Sequence, residues 1–135
     1  MDELCIMCKA KILGAHVTES KHRYWASLEV DQTVLRAAGV HDYEKALVVN
    51  VENGARFETY VRAAEPGSGR VVLAGGTALL GNEGDEIGFL VFALVPVENA
   101  ATYRPKVVKL GADNAVEWAR DGDPGEYGLN GRPAG

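Results

Sequence analysis

A serine within residues 24–31 is the first candidate for chemistry in this sequence. Leu28 and Val30 alternate there with polar residues, which predicts a short strand that stops at Asp31. The hydroxyl group of Ser27 lies near the start of this strand. Taken by itself, the stretch indicates an ordinary hydroxyl group at the start of a strand, with no catalytic role. Any catalytic role for Ser27 has to be argued from the flanking sequence.

Two basic residues are candidates for binding an anionic ligand. Arg56 carries a planar guanidinium group that can bind a carboxylate through two parallel hydrogen bonds. It follows an Asn-Gly pair within residues 53–60, which is a strong hairpin signal. Lys11 offers a second positive charge from the first predicted strand. On these features alone, a solvated surface charge is the favoured interpretation of each.

The two cysteines, Cys5 and Cys8, form a C-x-x-C pair of the kind found in redox sites and in halves of zinc sites. No second C-x-x-C and no histidine pair at metal-binding spacing follows in the sequence. In a strand the two side chains would point to opposite faces. We therefore favour two small apolar residues in an N-terminal strand and predict no metal site.

Composition indicates a single soluble globular domain. The chain has 135 residues, of which 47 % are hydrophobic and 24 % are charged. Its net charge of −5 argues against nucleic acid or an anionic membrane as a partner. No apolar run approaches the roughly 20 residues of a membrane helix, and the acidic residues 1–4 do not resemble a signal peptide. A cytoplasmic protein is the default expectation.

Short strands separated by glycine turns dominate the predicted secondary structure. One helix is predicted over residues 32–38, with Asp31 as its N-cap and Gly39 just after its end. Gly75 and Gly76 are predicted to open a helical turn whose N–H groups face an anion. The predicted strands cover residues 4–12, 16–19, 24–31, 46–51, 56–61, 71–73, 87–97 and 107–110.

This pattern indicates a small, mostly-β barrel. We predict that the barrel domain covers residues 1–118. Glycine and proline are frequent towards the C-terminus and apolar periodicity is lost, so residues 119–135 are predicted to be a disordered tail.

Residues 9–110 resemble the pyruvoyl-dependent aspartate 1-decarboxylases, which make β-alanine for pantothenate. Residues 53–60 and 102–108 are the blocks that match best. A weaker block, residues 65–69, has Pro66 where the family usually has arginine. The resemblance implies a double-psi β-barrel with one or two short helices, assembled as a homotetramer with active sites between subunits.

The resemblance also implies that the chain is a zymogen that cleaves itself. Ser27 would attack the carbonyl group of Ala26, and Thr59 would donate a hydrogen bond to the developing oxyanion. β-Elimination and loss of ammonia would then turn Ser27 into a covalent pyruvoyl cofactor. The substrate amine would form a Schiff base with this group, and Tyr60 would return a proton after CO2 leaves.

The family pattern implies a role for five more residues in substrate binding. Arg56 and Lys11 would bind the two carboxylates of aspartate. Tyr24 would line the pocket, and Gly75 and Gly76 would bring backbone N–H groups to the site.

Three positions depart from the family pattern: Ala26 replaces a glycine, Leu13 a histidine and Ala74 an asparagine. The leading hypothesis is self-processing decarboxylation of L-aspartate to β-alanine and CO2. A second is decarboxylation of another small amino acid in a secondary pathway, and a third is an unprocessed, non-catalytic barrel protein. The sequence leaves open whether a separate protein assists cleavage.

Overall fold

The computed structural model describes residues 3–25 and 27–123. Ala26, the predicted residue before the cut, lies outside the described residues, as do residues 1–2 and 124–135, which contain most of the predicted tail. Within the described ranges, no helix is both long enough and apolar enough to cross a membrane.

Nine strands and one α-helix make up most of the described chain. The strands are β1 (Leu4–His16), β2 (Glu19–Lys21), β3 (Leu28–Asp31), β4 (Lys45–Asn50), β5 (Arg56–Ala64), β6 (Val71–Ala74), β7 (Glu86–Pro96), β8 (Lys106–Leu110) and β9 (Val116–Asp121). Helix α1 (Gln32–Ala38) follows β3 directly, and short 3₁₀ helices cover Gly75–Leu80, Val97–Asn99 and Ala112–Asn114.

The strands form one mixed sheet in the order β2-β6-β3-β5-β4-β7-β1-β8-β9. Three pairs are parallel: β1 with β8, β2 with β6, and β3 with β5. The sheet encloses an apolar core whose largest fully buried side chains include Ile12, Leu28, Val48, Val61 and Phe89. The mostly-β barrel predicted from the sequence is confirmed.

Helix α1 has the predicted bounds because both of its ends are capped. The Asp31 carboxylate accepts hydrogen bonds from the backbone N–H groups of Thr33 (2.8 Å), Gly67 (3.0 Å) and Gly69 (2.9 Å). Gly39 ends the helix with a left-handed φ of 68°. The buried Asp31 therefore joins the start of the helix to the loop before β6.

These hydrogen bonds make the Asp31 cap depend on pH. Burial raises the pKa of the carboxyl group, but the backbone hydrogen bonds from Gly69, Thr33 and Gly67 outweigh burial and leave the pKa below its ordinary value. The carboxylate thus stabilises the fold above the ordinary pKa, and this contribution is lost as the pH falls through the lowered pKa.

Gly14 does not end the first strand, and the second strand covers Glu19–Lys21, not the predicted residues 16–19. Gly14 has a φ of +75° at a register shift between Ile12 and Ala15, and β1 continues beyond it to His16. A Cβ atom at Gly14 would lie 2.6 Å from the Lys109 side chain and 2.9 Å from the Leu110 carbonyl oxygen. Glycine is required at this bulge, which lets β1 bend while it stays paired.

Residues 107–110 lie in a strand, as predicted, but this strand is not the last one. Strand β9 pairs antiparallel with β8 and crosses the predicted domain boundary at residue 118. Its residues alternate between half-buried and exposed, and it lies at the end of the sheet order. Charged residues stand between and after its apolar residues, which are Val116, Trp118 and Ala119, as is common in edge strands.

Candidate active site

Ser27 lies in a bend immediately before β3 and is half-buried. Its carbonyl oxygen accepts two hydrogen bonds, from the backbone N–H of Ala74 (3.0 Å) and from the Thr77 hydroxyl group (2.8 Å). The antiparallel pairing of Leu28 with Leu73 brings the end of β6 to this bend. Thr77 was not among the predicted site residues, because only the pairing of β3 with β6 shows that it reaches Ser27.

Thr59 and Tyr60 lie on β5 beside the Ser27 bend. The parallel register pairs Leu28 with Val61, so the residues just before Val61 run alongside the chain that enters β3. Successive side chains of a strand point to opposite faces, which places Thr59 on the same side as the buried Val61 and Tyr60 on the other side. The Tyr60 hydroxyl donates to the Trp25 carbonyl oxygen at 3.3 Å, two residues before Ser27.

Tyr43 packs against the ring of Tyr60. The two rings stack with centroids 5.7 Å apart and planes at 27°. The Arg62 guanidinium group lies 4.3 Å from the centroid of the Tyr43 ring. Sequence reasoning missed Tyr43, which lies in the loop before β4 and meets Tyr60 only through tertiary packing.

Of the two predicted site glycines, Gly75 and Gly76, only Gly75 lies against the predicted pocket residue Tyr24. Gly75 has a φ of +67°, and a Cβ atom there would lie 3.4 Å from the Tyr24 carbonyl oxygen. Gly76 has no neighbouring atom within 4 Å of the position of a Cβ atom. Tyr24 is 43 % exposed, and the Lys21 ammonium group lies 5.3 Å from the centroid of its ring.

Arg56 is an exposed residue at the start of β5. Strand alternation puts its side chain on the same face as those of Glu58 and Tyr60. Glu58 forms an ion pair with Lys45 at 2.7 Å. Within residues 3–25 and 27–123, the Arg56 guanidinium group has no hydrogen-bond or ion-pair partner, which leaves all its donors available to a ligand.

Lys11, by contrast, already has a carboxylate partner. Its ammonium group lies 2.6 Å from Oδ1 of Asp123, two residues after β9. Lys11 lies on β1, which is four positions from β3 in the strand order. Within the described residues of one protomer, β1 pairs with β7 and β8 and makes no pairing with β3.

The three departures from the family pattern are only partly visible in the structure. Leu13 is half-buried on β1, and Ala74 is fully buried at the end of β6. The predicted cleavage residue Ala26 lies outside the described residues. Ala74 still donates its backbone N–H to Ser27, but its side chain provides no polar group there.

The two cysteines are half-buried and not joined by a disulfide bond. Their thiol groups donate to backbone carbonyl oxygens, Cys5 to Val95 at 3.5 Å and Cys8 to Ala10 at 3.4 Å. Burial raises the pKa of the Cys8 thiol above its ordinary value, which disfavours the reactive thiolate. Across the described part of the chain, no cluster of three or more His, Cys, Asp or Glu side chains is placed to hold a metal ion.

A family model described as "Aspartate decarboxylase" matches residues 4–117 of the chain. The chain belongs to the aspartate decarboxylase family. The family resemblance inferred from the sequence is therefore confirmed. The matched range includes Ser27, Thr59, Tyr60 and Thr77 but ends before Asp123, so the partner of Lys11 comes from outside the part of the chain that the family model covers.

Three relatives in this family show how far the similarity extends. The aspartate 1-decarboxylase of Leptospira biflexa serovar Patoc (strain Patoc 1 / Ames) is 44 % identical over 109 residues, covering 80 % of this chain and 92 % of the relative. That of Campylobacter jejuni subsp. doylei is 43 % identical over 110 residues, covering 82 % and 86 %. That of Pelotomaculum thermopropionicum is 41 % identical over 117 residues, covering 87 % and 89 %.

Proposed function

We propose that this chain is a self-processing, pyruvoyl-dependent decarboxylase that converts L-aspartate to β-alanine and CO2, supplying a precursor of pantothenate. The observation that carries the proposal is the family match over residues 4–117. The placement of the Tyr60 hydroxyl beside the chain that leads into Ser27 supports it.

The surroundings of Ser27 fit a residue that becomes a pyruvoyl group. Its carbonyl oxygen is held by Ala74 and Thr77, and its own hydroxyl group makes no hydrogen bond to any other described residue. Ser27 is thus fixed through its backbone while its side chain is free to react. A pyruvoyl ketone supplies the electron sink that decarboxylation of an amino acid needs.

Maturation in this proposal begins with attack by Ser27 Oγ on the carbonyl carbon of Ala26. The peptide C–N bond breaks, and the chain is then joined through an ester. Thr59 donates to the oxyanion that forms at Ala26, since the parallel register places it beside the chain that enters β3. β-Elimination across the Cα–Cβ bond of Ser27 then releases the N-terminal chain.

In catalysis, Arg56 and Lys11 bind the two carboxylates of the substrate, and Tyr60 donates the proton that replaces CO2. Arg56 and Tyr60 share a face of β5, four residues apart, so both can face a ligand bound along that face. Tyr24, Gly75 and Gly76 line the pocket next to Ser27. The close approach of Gly75 to the Tyr24 backbone supports this arrangement.

The test of this function uses the wild-type protein. Intact-mass measurement after incubation should show two chains, residues 1–26 and residues 27–135, and added L-aspartate should yield β-alanine. If other small amino acids are decarboxylated faster, the second hypothesis, for which Leu13 and Ala74 leave room, replaces decarboxylation of aspartate. An uncut 14.4 kDa chain that forms no product would instead support the non-catalytic alternative.

The proposal includes a homotetramer with active sites between subunits. The place of Lys11 on β1, which does not pair with β3, supports it, because a second copy can supply one of the two residues. The outer face of β1 and β7 also exposes apolar side chains: Ile6 is 72 % exposed, and its register partner Leu94 is 65 % exposed. Beside Ile6, a groove of about 400 Å³ is lined by Ile6, Lys45, Ala46, Leu47, Glu58 and Phe92.

Ile6→Glu is expected to break the assembly into smaller species and to abolish most of the activity. A charge placed in a buried apolar interface is strongly unfavourable, whereas the same charge on an exposed monomer surface is tolerated. Light scattering coupled to size-exclusion chromatography measures the mass. Val51→Glu, at an exposed apolar residue in the β4–β5 turn, is the matched control. An Ile6→Glu protein with wild-type mass would remove this face from the interface.

Asp123→Asn is expected to lower KM for aspartate by up to about fivefold with little change in kcat. In the proposed site, the substrate must displace Asp123 from Lys11, and an exposed ion pair of this kind contributes up to about 1 kcal/mol. Asp121→Asn is the control, because Asp121 pairs with Lys106 at the same end of β9. Equal KM values for Asp123→Asn and wild type would show that Lys11 does not bind the substrate.

A further inference from the structure

We infer that the Thr77 hydroxyl and the Ala74 backbone N–H form an oxyanion site at the carbonyl oxygen of Ser27, which promotes the elimination step of maturation. This inference rests on the proposed function. It concerns a different oxygen from the one assigned to Thr59, which is the carbonyl oxygen of Ala26. It also names Thr77, which the family pattern read from the sequence did not include.

The geometry is that of two donors converging on one acceptor. Ala74 N–H and Thr77 Oγ1 lie 3.0 Å and 2.8 Å from the Ser27 oxygen, and a carbonyl oxygen can accept two hydrogen bonds. Ala74 is fully buried and Thr77 is half-buried. Charge that develops on this oxygen is therefore partly shielded from water, where fixed donors have their largest effect.

Elimination is the step that places charge on this oxygen. Once the ester has formed, a water molecule acting as base removes the proton from the Ser27 Cα atom. The electron pair of that C–H bond moves onto the Ser27 carbonyl oxygen as an enolate. It returns to form the Cα=Cβ bond as the Cβ–Oγ bond breaks, and Ala26 leaves as a carboxylate. A peptide Cα–H is weakly acidic, so stabilising the enolate lowers the main barrier of this step.

A second contact of Thr77 explains how it is positioned. Its Oγ1 atom also lies 2.8 Å from the carbonyl oxygen of Ala74, three residues earlier in the chain. A hydroxyl group has one hydrogen, so it donates to one of these two oxygens at a time. Negative charge on the Ser27 oxygen makes that oxygen the stronger acceptor and draws the hydrogen towards it. The alanine at position 74 provides no side-chain donor, and Thr77 provides one instead.

Thr77→Val tests the inference because it removes the hydroxyl group and keeps the side-chain shape. We expect the chain of residues 27–135 to appear on the order of 10–100-fold more slowly. The ester should accumulate, measured as uncut protein that neutral hydroxylamine cleaves at Ser27. Thr77→Ser restores the donor and should process at close to the wild-type rate. Thr102→Val is the matched control, since Thr102 makes the same three-residue contact, to Asn99, in the segment before β8.

A kinetic isotope effect provides a second, independent measurement. Protein labelled with α-deuterated serine should be processed more slowly than unlabelled protein. The ratio of the unlabelled to the labelled processing rate should be larger in Thr77→Val, because proton removal then limits the rate. Thr77→Ala replaces Thr77→Val in both measurements if the valine variant does not fold.

Three outcomes would overturn the inference. If Thr77→Val is processed at the wild-type rate, or slowly without accumulating ester, Thr77 has no role in elimination, while the proposed function stands. If the isotope effect is the same in the variant and in the wild type, proton removal is not the step that Thr77 assists. If the wild-type chain itself remains uncut, the proposed function fails and the inference with it.

Discussion

Ser27→Ala is expected to remain one chain of 14.4 kDa and to form no β-alanine at any incubation time. The substitution removes the Oγ atom that attacks the preceding carbonyl group in the proposed maturation and, with it, the source of the ketone. The fold should be kept, because the contacts of residue 27 with Ala74 and Thr77 are made by its backbone oxygen. Intact-mass measurement detects the loss of cleavage, and product chromatography detects the loss of β-alanine formation.

Ser68→Ala is the control for this experiment. Ser68 lies in the exposed loop before β6, where its side chain accepts a hydrogen bond from the Arg70 N–H. It should be processed like the wild-type chain. A Ser27→Ala protein that still divides into two chains would assign the cut to another residue or to a contaminating protease.

Arg56→Ala is expected to divide into two chains normally and then to turn over aspartate very poorly. Loss of a two-point contact between guanidinium and carboxylate costs about 2–5 kcal/mol, which corresponds to a roughly 30- to 4,000-fold fall in kcat/KM. Processing is unaffected because Arg56 is at the start of β5, four residues before Tyr60, which lies beside the Ser27 bend. Steady-state rates on fully processed protein measure the effect.

Arg36→Ala provides the matched control, since Arg36 is an exposed arginine in the last turn of α1. Arg56→Lys should recover only part of the lost activity, because an ammonium group keeps the charge without the planar pair of donors. A kcat/KM for Arg56→Ala within threefold of wild type would show that Arg56 does not hold a substrate carboxylate.

The parts of the fold that were predicted correctly are those whose signals are local. Asp31 and Gly39 satisfy the ends of α1 from adjacent positions, so the helix bounds follow from the sequence alone. The Asn-Gly pair at residues 53–54 similarly marks the turn between β4 and β5. In both cases the deciding hydrogen bonds or backbone angles lie within a few residues of the signal.

The errors came where distant strands decide the structure. Gly14 would end an isolated strand, yet it serves as a bulge in β1 because β7 and β8 hold both sides of the turn in register. Strand β9 alternates Val116 and Trp118 with Glu117, too short a pattern to predict a strand by itself, and it forms because β8 offers it an edge.

The same distinction holds for the candidate site. Ser27 and Tyr60 were named by resemblance to a family. Thr77, Tyr43 and Asp123 entered only when the folded chain showed what they touch. A hydroxyl, a ring and a carboxylate are common on any surface. Thr77, Tyr43 and Asp123 stand out because each contacts a site residue at least 17 positions away in the chain. Such contacts depend on strand register.

Because β1 lies before the proposed cut, cleavage would turn the folding of one chain into the association of two. Cleavage before Ser27 would leave β1 and β2 on a separate short chain, although β1 pairs with both β7 and β8 of the longer one. The thirteen residues of β1, including the buried Ile12, would keep the two chains together without a covalent link. Before the cut, assembly of this sheet within a protomer is independent of concentration. After the cut, refolding of denatured protein requires two separate chains to associate, so refolding becomes slower on dilution. The uncut zymogen is therefore the form suited to folding.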